Sequence, residues 1–130
     1  MHLVSINENK KFEKRIAVTP EIAKKYISLG FNLSLPYNYG SHLGFDDDTY
    51  KNQGVNFADN EKDILSKADI VIQLGLPDDD KASLLKENQT LIGSLNVFSN
   101  KDKLFSLKQK KINCFSLELL PRITRAQSMD

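Results

Sequence analysis

Short apolar runs alternate along this chain with segments whose apolar residues recur at helical spacing. Leu3-Val4-Ser5-Ile6 reads as a first strand. Thr19-Pro20-Glu21 reads as a helix start: Thr19 accepts at the cap, Pro20 needs no N–H partner there, and Glu21 complements the helix dipole. Ile22, Ala23, Tyr26, Ile27 and Leu29 form the apolar stripe of that helix, and Gly30 ends it with a left-handed cap. Phe31, Leu33 and Leu35 alternate with Asn32 and Ser34 as a second strand stopped by Pro36. Residues 37–44 form a loop. Asp46 caps a short helix closed by Gly54, and residues 55–57 form a strand. Asp59 or Asn60 caps a helix to Lys67. Residues 70–74 are the clearest buried strand, β-branched and nearly continuous. A helix over 79–86, a strand over 90–94, a helix over 100–110 with Leu104, Phe105 and Leu107 inward, and a strand over 112–116 complete the series. Residues 121–130 read as polar and irregular.

Strict alternation of strand and helix predicts an α/β fold in three layers, a mostly parallel sheet with helices on both faces, Rossmann-like or flavodoxin-like. Such sheets bind ligands outside the carboxyl ends of their strands. The loops after Ile6, Pro36, Leu74, Ser94 and Ser116 are therefore the candidate functional edge.

Composition narrows the chemistry. The chain has 130 residues, 40% hydrophobic and 27% charged, with a net charge of +1. That suits one globular domain and lacks the basic excess of a nucleic-acid binder. A single cysteine, Cys114, excludes an internal disulfide and a structural zinc site, and His2 and His42 add little metal-binding capacity. Cys114 falls inside a strand and reads as a structural thiol. Asp46-Asp47-Asp48 and Asp78-Asp79-Asp80 each precede a helix, so capping explains them better than a metal. No run is long and apolar enough for a membrane span or a secretory signal. The six glycines never fall as G-x-G-x-x-G, so the phosphate-cradling turn of a dinucleotide fold is missing, and no P-loop or nucleophile elbow is present.

Arginine is scarce: 3 against 15 lysines. A planar, bidentate fork has uses that a lysine does not serve. Arg15 opens Arg15-Ile16-Ala17-Val18-Thr19-Pro20-Glu21. Arg122 and Arg125 lie in Pro121-Arg122-Ile123-Thr124-Arg125-Ala126-Gln127-Ser128-Met129-Asp130. This second segment follows a strand at the ligand edge and is dense in planar donors and acceptors.

These two segments carry a resemblance. With Glu8, Leu29-Gly30-Phe31, Gly44-Phe45-Asp46-Asp47, Ala68-Asp69-Ile70-Val71 and Gln89-Thr90-Leu91-Ile92-Gly93, they make the chain similar to the N-terminal domain shared by alanine dehydrogenase and the alpha subunit of proton-translocating NAD(P) transhydrogenase. The resemblance covers essentially all of the chain, and residues 121–130 match the transhydrogenase branch. The dehydrogenase branch holds pyruvate with an arginine, a lysine and a histidine; here those positions read Arg15, Gly75 and Asn96. The transhydrogenase pattern is also departed from at Val4-Ser5-Ile6-Asn7, at Gln73-Leu74 and at Val97-Phe98-Ser99-Asn100.

The resemblance implies part of an enzyme that moves hydride between NADH and NADP+ coupled to proton translocation, inactive as this piece alone. The implied cofactors are NAD(H), and NADP(H) on a partner component. The implied domain is 1–130, ending before or within the helix that leads to an NAD-binding Rossmann domain of the same native chain. Other implied partners are membrane-spanning and NADP(H)-binding components and a second copy in a homodimer. The implied place is the cytoplasmic side of the inner membrane, or the matrix side in mitochondria. Arg122, Gln127 and Asp130 are the implied catalytic residues: Arg122 orients the nicotinamide carboxamide, Gln127 bonds near the ribose, and Asp130 fixes the loop. Arg125 joins them in cofactor binding, Arg15 braces the cleft, and Glu8 is a weaker candidate. Hydride transfer between two rings needs alignment and exclusion of water rather than a protein nucleophile. The alternatives are an alanine-dehydrogenase-like oxidoreductase and a non-catalytic module of the same fold.

Overall fold

Leu3 and Val4 are neighbours on one strand, and each is buried in a different core. Their strand is central to the sheet in a computed structural model that describes residues 1–117. Among these residues the strands are β1 (His2–Val4), β2 (Asn32–Pro36), β3 (Asn56–Ala58), β4 (Ile70–Ile72), β5 (Thr90–Gly93) and β6 (Asn113–Ser116). The helices are α1 (Pro20–Ser28), α2 (Asp47–Asn52), α3 (Glu61–Ser66), α4 (Asp79–Ala82) and α5 (Lys101–Gln109), with a 3-10 turn at Ser41–Leu43. Every strand pairing is parallel, in the order β3-β2-β1-β4-β5-β6. This is the doubly wound dinucleotide-fold order rather than the flavodoxin one.

Alternation along the strands builds the two cores. Leu3, Leu33 and Leu35 pack with Val18, Ala23, Tyr39, Tyr50 and Val55 under α1 and α2. Val4, Ile6, Val71 and Leu91 pack with Ile64, Leu65, Leu85 and Leu107 under α3, α4 and α5. Winding outwards from β1 to β3 lays helices on one face. Returning to β4 and winding to β6 lays them on the other, as right-handed crossovers require.

The helix starts follow their cap chemistry. The Thr19 hydroxyl accepts from the Ile22 N–H at 3.3 Å, with Pro20 as the first helical residue. Asp46 accepts the Thr49 N–H at 2.9 Å, and Asn60, not Asp59, caps α3 through the Asp63 N–H at 2.8 Å. Gly30 and Gly54 adopt the left-handed backbone that ends α1 and α2.

Several expectations are corrected. Asp78 does not cap α4; it accepts from the Asn9 side-chain amide at 3.1 Å. The α4 helix stops at Ala82, and the next amides bond three residues back, Leu84 to Lys81 and Leu85 to Ala82. Buried Gln89 explains the stop, because its side chain takes the Lys86 N–H at 2.7 Å while donating to the Leu65 and Ala68 carbonyls. Pro36 ends β2 from inside, in register with Ala58. Leu29 is the C-cap of α1 and is exposed, as is Phe105 on α5, so neither belongs to an inward stripe.

Candidate functional site

Between β1 and β4 the winding direction reverses, which in this class of sheet opens a crevice at the strand ends. A cleft of about 260 Å³ lies there, lined by Asn7, Glu8, Phe12, Glu13, Gly75 and Lys81 among others. Two polar residues follow apolar strands here: Gln73, after Ile72, lines the cleft, and Ser5, after Val4, contacts Gln73 from behind it. Both are buried.

Gln73 stands in for a missing peptide group. Its Oε1 accepts the Ile6 N–H at 2.7 Å and its Nε2 donates to the Ile6 carbonyl at 3.1 Å. A side-chain amide thus continues the β1–β4 ladder past Val4 and Val71, where the backbone pairing ends. The same Nε2 donates to Glu8 Oε2 at 2.9 Å. Glu8 Oε2 also accepts the Leu74 N–H at 2.8 Å, and Oε1 the Gly75 N–H at 3.3 Å. Burial nevertheless raises the Glu8 carboxyl above its ordinary pKa: the backbone bonds pull it down, and the nearby Glu13 and Asp78 charges add to the rise.

Tyr39, from the loop after β2, joins these polar residues to the segment ahead of α1. Its hydroxyl accepts the Ala17 and Val18 N–H groups, each at 3.2 Å, so its own proton goes to Ser5 Oγ at 2.9 Å. Ser5 in turn faces the Ile72 carbonyl at 2.6 Å and Gln73 Oε1 at 3.1 Å. Burial pushes the Tyr39 phenol up to about 12, so it stays protonated and can donate. The Tyr50 hydroxyl donates to the Val18 carbonyl at 2.7 Å, with the two rings edge to face. The strap at residues 15–18 is thus held by two buried tyrosines.

Arg15 does not line the cleft, although its partner Glu13 does. It lies outward, with its side chain 80% exposed, and grips Glu13 in a bidentate pair at 2.9 and 2.7 Å. That pair holds the Glu13 carboxyl down at about 2. Lys81, on the opposite wall, is bound to Glu61, which also accepts the Asn7 N–H at 2.9 Å. Lys81, the cation that lines this cleft, therefore already has a carboxylate partner, as does Arg15 beside it. Gly75 lines the cleft and brings no side chain to it; Asn96 is exposed and lies outside it. Cys114 is half-buried against the second core, where burial pushes its thiol up, as befits a structural residue. Arg122, Arg125, Gln127 and Asp130 lie outside the described residues.

A dinucleotide's pyrophosphate does not fit the described residues. The turn from β1 towards α1, residues 5–19, contains no glycine and is filled by side-chain bonds where a cradle would bring backbone amides to a phosphate. Ser5, Gln73, Tyr39, Tyr50 and the Glu61–Lys81 pair were not singled out from sequence as site residues. The visible signal for two of them was a polar residue inside an apolar strand run, at Ser5 and Gln73.

The chain's similarities agree with this architecture. The family model described as "Alanine dehydrogenase/PNT, N-terminal domain" matches residues 5–130. An NAD(P) transhydrogenase alpha subunit of Rhodospirillum rubrum is 33% identical over the whole chain, which spans 35% of that protein. Alanine dehydrogenase 1 of Staphylococcus aureus is 27% identical over 98% of the chain and 34% of that protein. The chain thus spans about a third of the length of these curated relatives. The crystal structure of transhydrogenase from Sinorhizobium meliloti superposes with a TM-score of 0.85 at 26% identity, over 98% of this chain and 38% of that one. The doubly wound sheet, the cleft at its reversal point and the match over residues 5–130 place this chain in the alanine dehydrogenase/PNT N-terminal domain family.

Proposed function

We propose that this chain forms the cleft wall of the NAD(H)-binding component of a proton-translocating NAD(P) transhydrogenase. The observation that carries the reading is that no uncommitted cation stands among the described residues lining the cleft. Arg15 is committed to Glu13 and Lys81 to Glu61, and Gly75 and Asn96 stand where the dehydrogenase branch has lysine and histidine. A 2-oxo acid needs uncompensated donors for its carboxylate and carbonyl. This cleft instead adds Glu8 and Asp78 to its lining. The greater identity to the Rhodospirillum rubrum transhydrogenase subunit, 33% against 27% for alanine dehydrogenase 1, supports the same side.

In this reading NAD(H) is held by a glycine-fingerprint Rossmann domain elsewhere in the native chain, and NADP(H) by a partner component. The bound nucleotides supply the hydride chemistry. This chain closes over the nicotinamide end, keeps water out, and presents Arg122, Gln127 and Asp130 to the ring and its ribose, with Arg125 supporting the loop. Membrane attachment on the cytoplasmic or matrix side belongs to partner components; no helix among the described residues is long and apolar enough to cross a membrane. The intact component pairs with a second copy.

The test is a comparison of two reactions by the intact native protein with its partner components. Hydride transfer from NADH to an NADP+ analogue is expected, with no NADH consumption on pyruvate and ammonium. Pyruvate-dependent turnover without transhydrogenation would instead support the alanine-dehydrogenase reading.

A further inference from the structure

A buried hydrogen-bond chain joins the cleft lining to the strap ahead of α1. In the cleft lining Glu8 receives Gln73 Nε2 at 2.9 Å; behind it, just past the lining residues Phe12 and Glu13, the strap amides of Ala17 and Val18 rest on Tyr39. Ser5 lies between, within 2.9 Å of Tyr39 Oη and 3.1 Å of Gln73 Oε1. Gln73 is 3% exposed, Ser5 0% and Tyr39 1%, so water does not substitute for any link. The donors run one way from the strap. The amides give to Tyr39, Tyr39 gives to Ser5, and Ser5 gives towards β4, whose Gln73 gives to Glu8. Among the described residues Ile6 meets its N–H and carbonyl partner in the Gln73 amide, and Ala17 and Val18 find their acceptor in a side chain.

We propose that Gln73 and Tyr39 are positioning residues that fix Glu8 and the strap at 15–18 in one register across the point where the sheet reverses. Gln73 sets the height of the loop carrying Glu8 by completing the ladder. Tyr39 sets the strap against that same ladder through Ser5. The two are bridged by the Ser5 hydroxyl, and each acts by holding a partner in place. This inference concerns the geometry of the cleft and stands whether or not the transhydrogenase reading does. An unpaired buried N–H or carbonyl is costly, so breaking one link is expected to displace its neighbours rather than leave a gap.

The test uses single-oxygen and single-amide deletions in the full native chain. In Gln73→Leu the Glu8 carboxylate loses a donor, and its titration midpoint, followed by ¹³C NMR of the side-chain carboxyl, is expected to move up. The other charged groups around it, Glu13, Asp78 and Lys81, are untouched by the substitution. In the same variant, hydrogen exchange at Ala17 and Val18, which Gln73 does not touch, is expected to speed up about tenfold or more. In Tyr39→Phe the same strap amides are expected to exchange faster, and so is the Ile6 amide, which Tyr39 does not touch. Exchange changes confined to the direct partners of each substituted side chain would overturn the proposal, as would an unmoved Glu8 midpoint. Should Gln73→Leu fail to fold, Tyr39→Phe decides alone: faster exchange at Ile6 supports the coupling, and unchanged exchange there refutes it.

Discussion

Gly93 shows how tightly single residues are set in this sheet. A Cβ added there would come 2.4 Å from the Gln73 carbonyl oxygen, which is backbone and cannot swing aside. Gly93→Ala is therefore expected to lower stability by about 1–3 kcal/mol through forced displacement of β4 from β5, read as a lower denaturation midpoint. An unchanged midpoint would mean the strands part freely. Glu8 makes a pH prediction. Its folded carboxyl sits above its unfolded value, so its contribution to stability is present below that unfolded value and is lost as pH rises through the folded one. Glu8→Gln removes the dependence, so the variant should gain stability relative to the parent as pH rises above the ordinary carboxylate range on chemical denaturation. A parent that gains on the variant would contradict the raised carboxyl. At Gln127, the proposed role at the nicotinamide predicts that Gln127→Asn slows single-turnover hydride transfer in the intact enzyme more than it weakens NADH binding. Unchanged transfer would remove Gln127 from the site.

Elements were legible where one local rule decided them. Thr19 with Pro20, Asp46, and Gly30 with Gly54 announced the helix ends because cap chemistry and left-handed backbone act within a few residues. Thr19→Ala is accordingly expected to cost about 1 kcal/mol, seen as a lower melting temperature. No loss would show that Pro20 and packing alone fix that start. Elements misread from sequence were decided by distant partners. The early end of α4 depends on Gln89, which reaches the Leu65 and Ala68 carbonyls as well as Lys86. The polar residues Ser5 and Gln73 marked their strands as unusual, but their mutual contact spans 68 positions and depends on β1 lying beside β4. Arg15 was misplaced for the opposite reason. Its partner Glu13 is only two residues away, and that short-range bidentate pair leaves the guanidinium exposed and outside the cleft lining.

At the scale of the molecule, the strand order decides where a ligand could sit. Reversal between β1 and β4 places a crevice where a dinucleotide fold would bind its cofactor. Here the turn that would cradle a pyrophosphate is a glycine-free strap bonded to Tyr39 and Tyr50. The fold has the winding of a nucleotide binder and a floor built for something else. Membership of the alanine dehydrogenase/PNT N-terminal domain family fits that division, and the chain spans about a third of its curated relatives. The central claim is that these 130 residues supply a cleft wall and leave the nucleotide to another domain. Titrating this chain with NADH, followed by the fluorescence of the reduced ring, tests it most directly. The account predicts no saturable binding up to about 1 mM. Saturable binding at about 10 μM or tighter would contradict it.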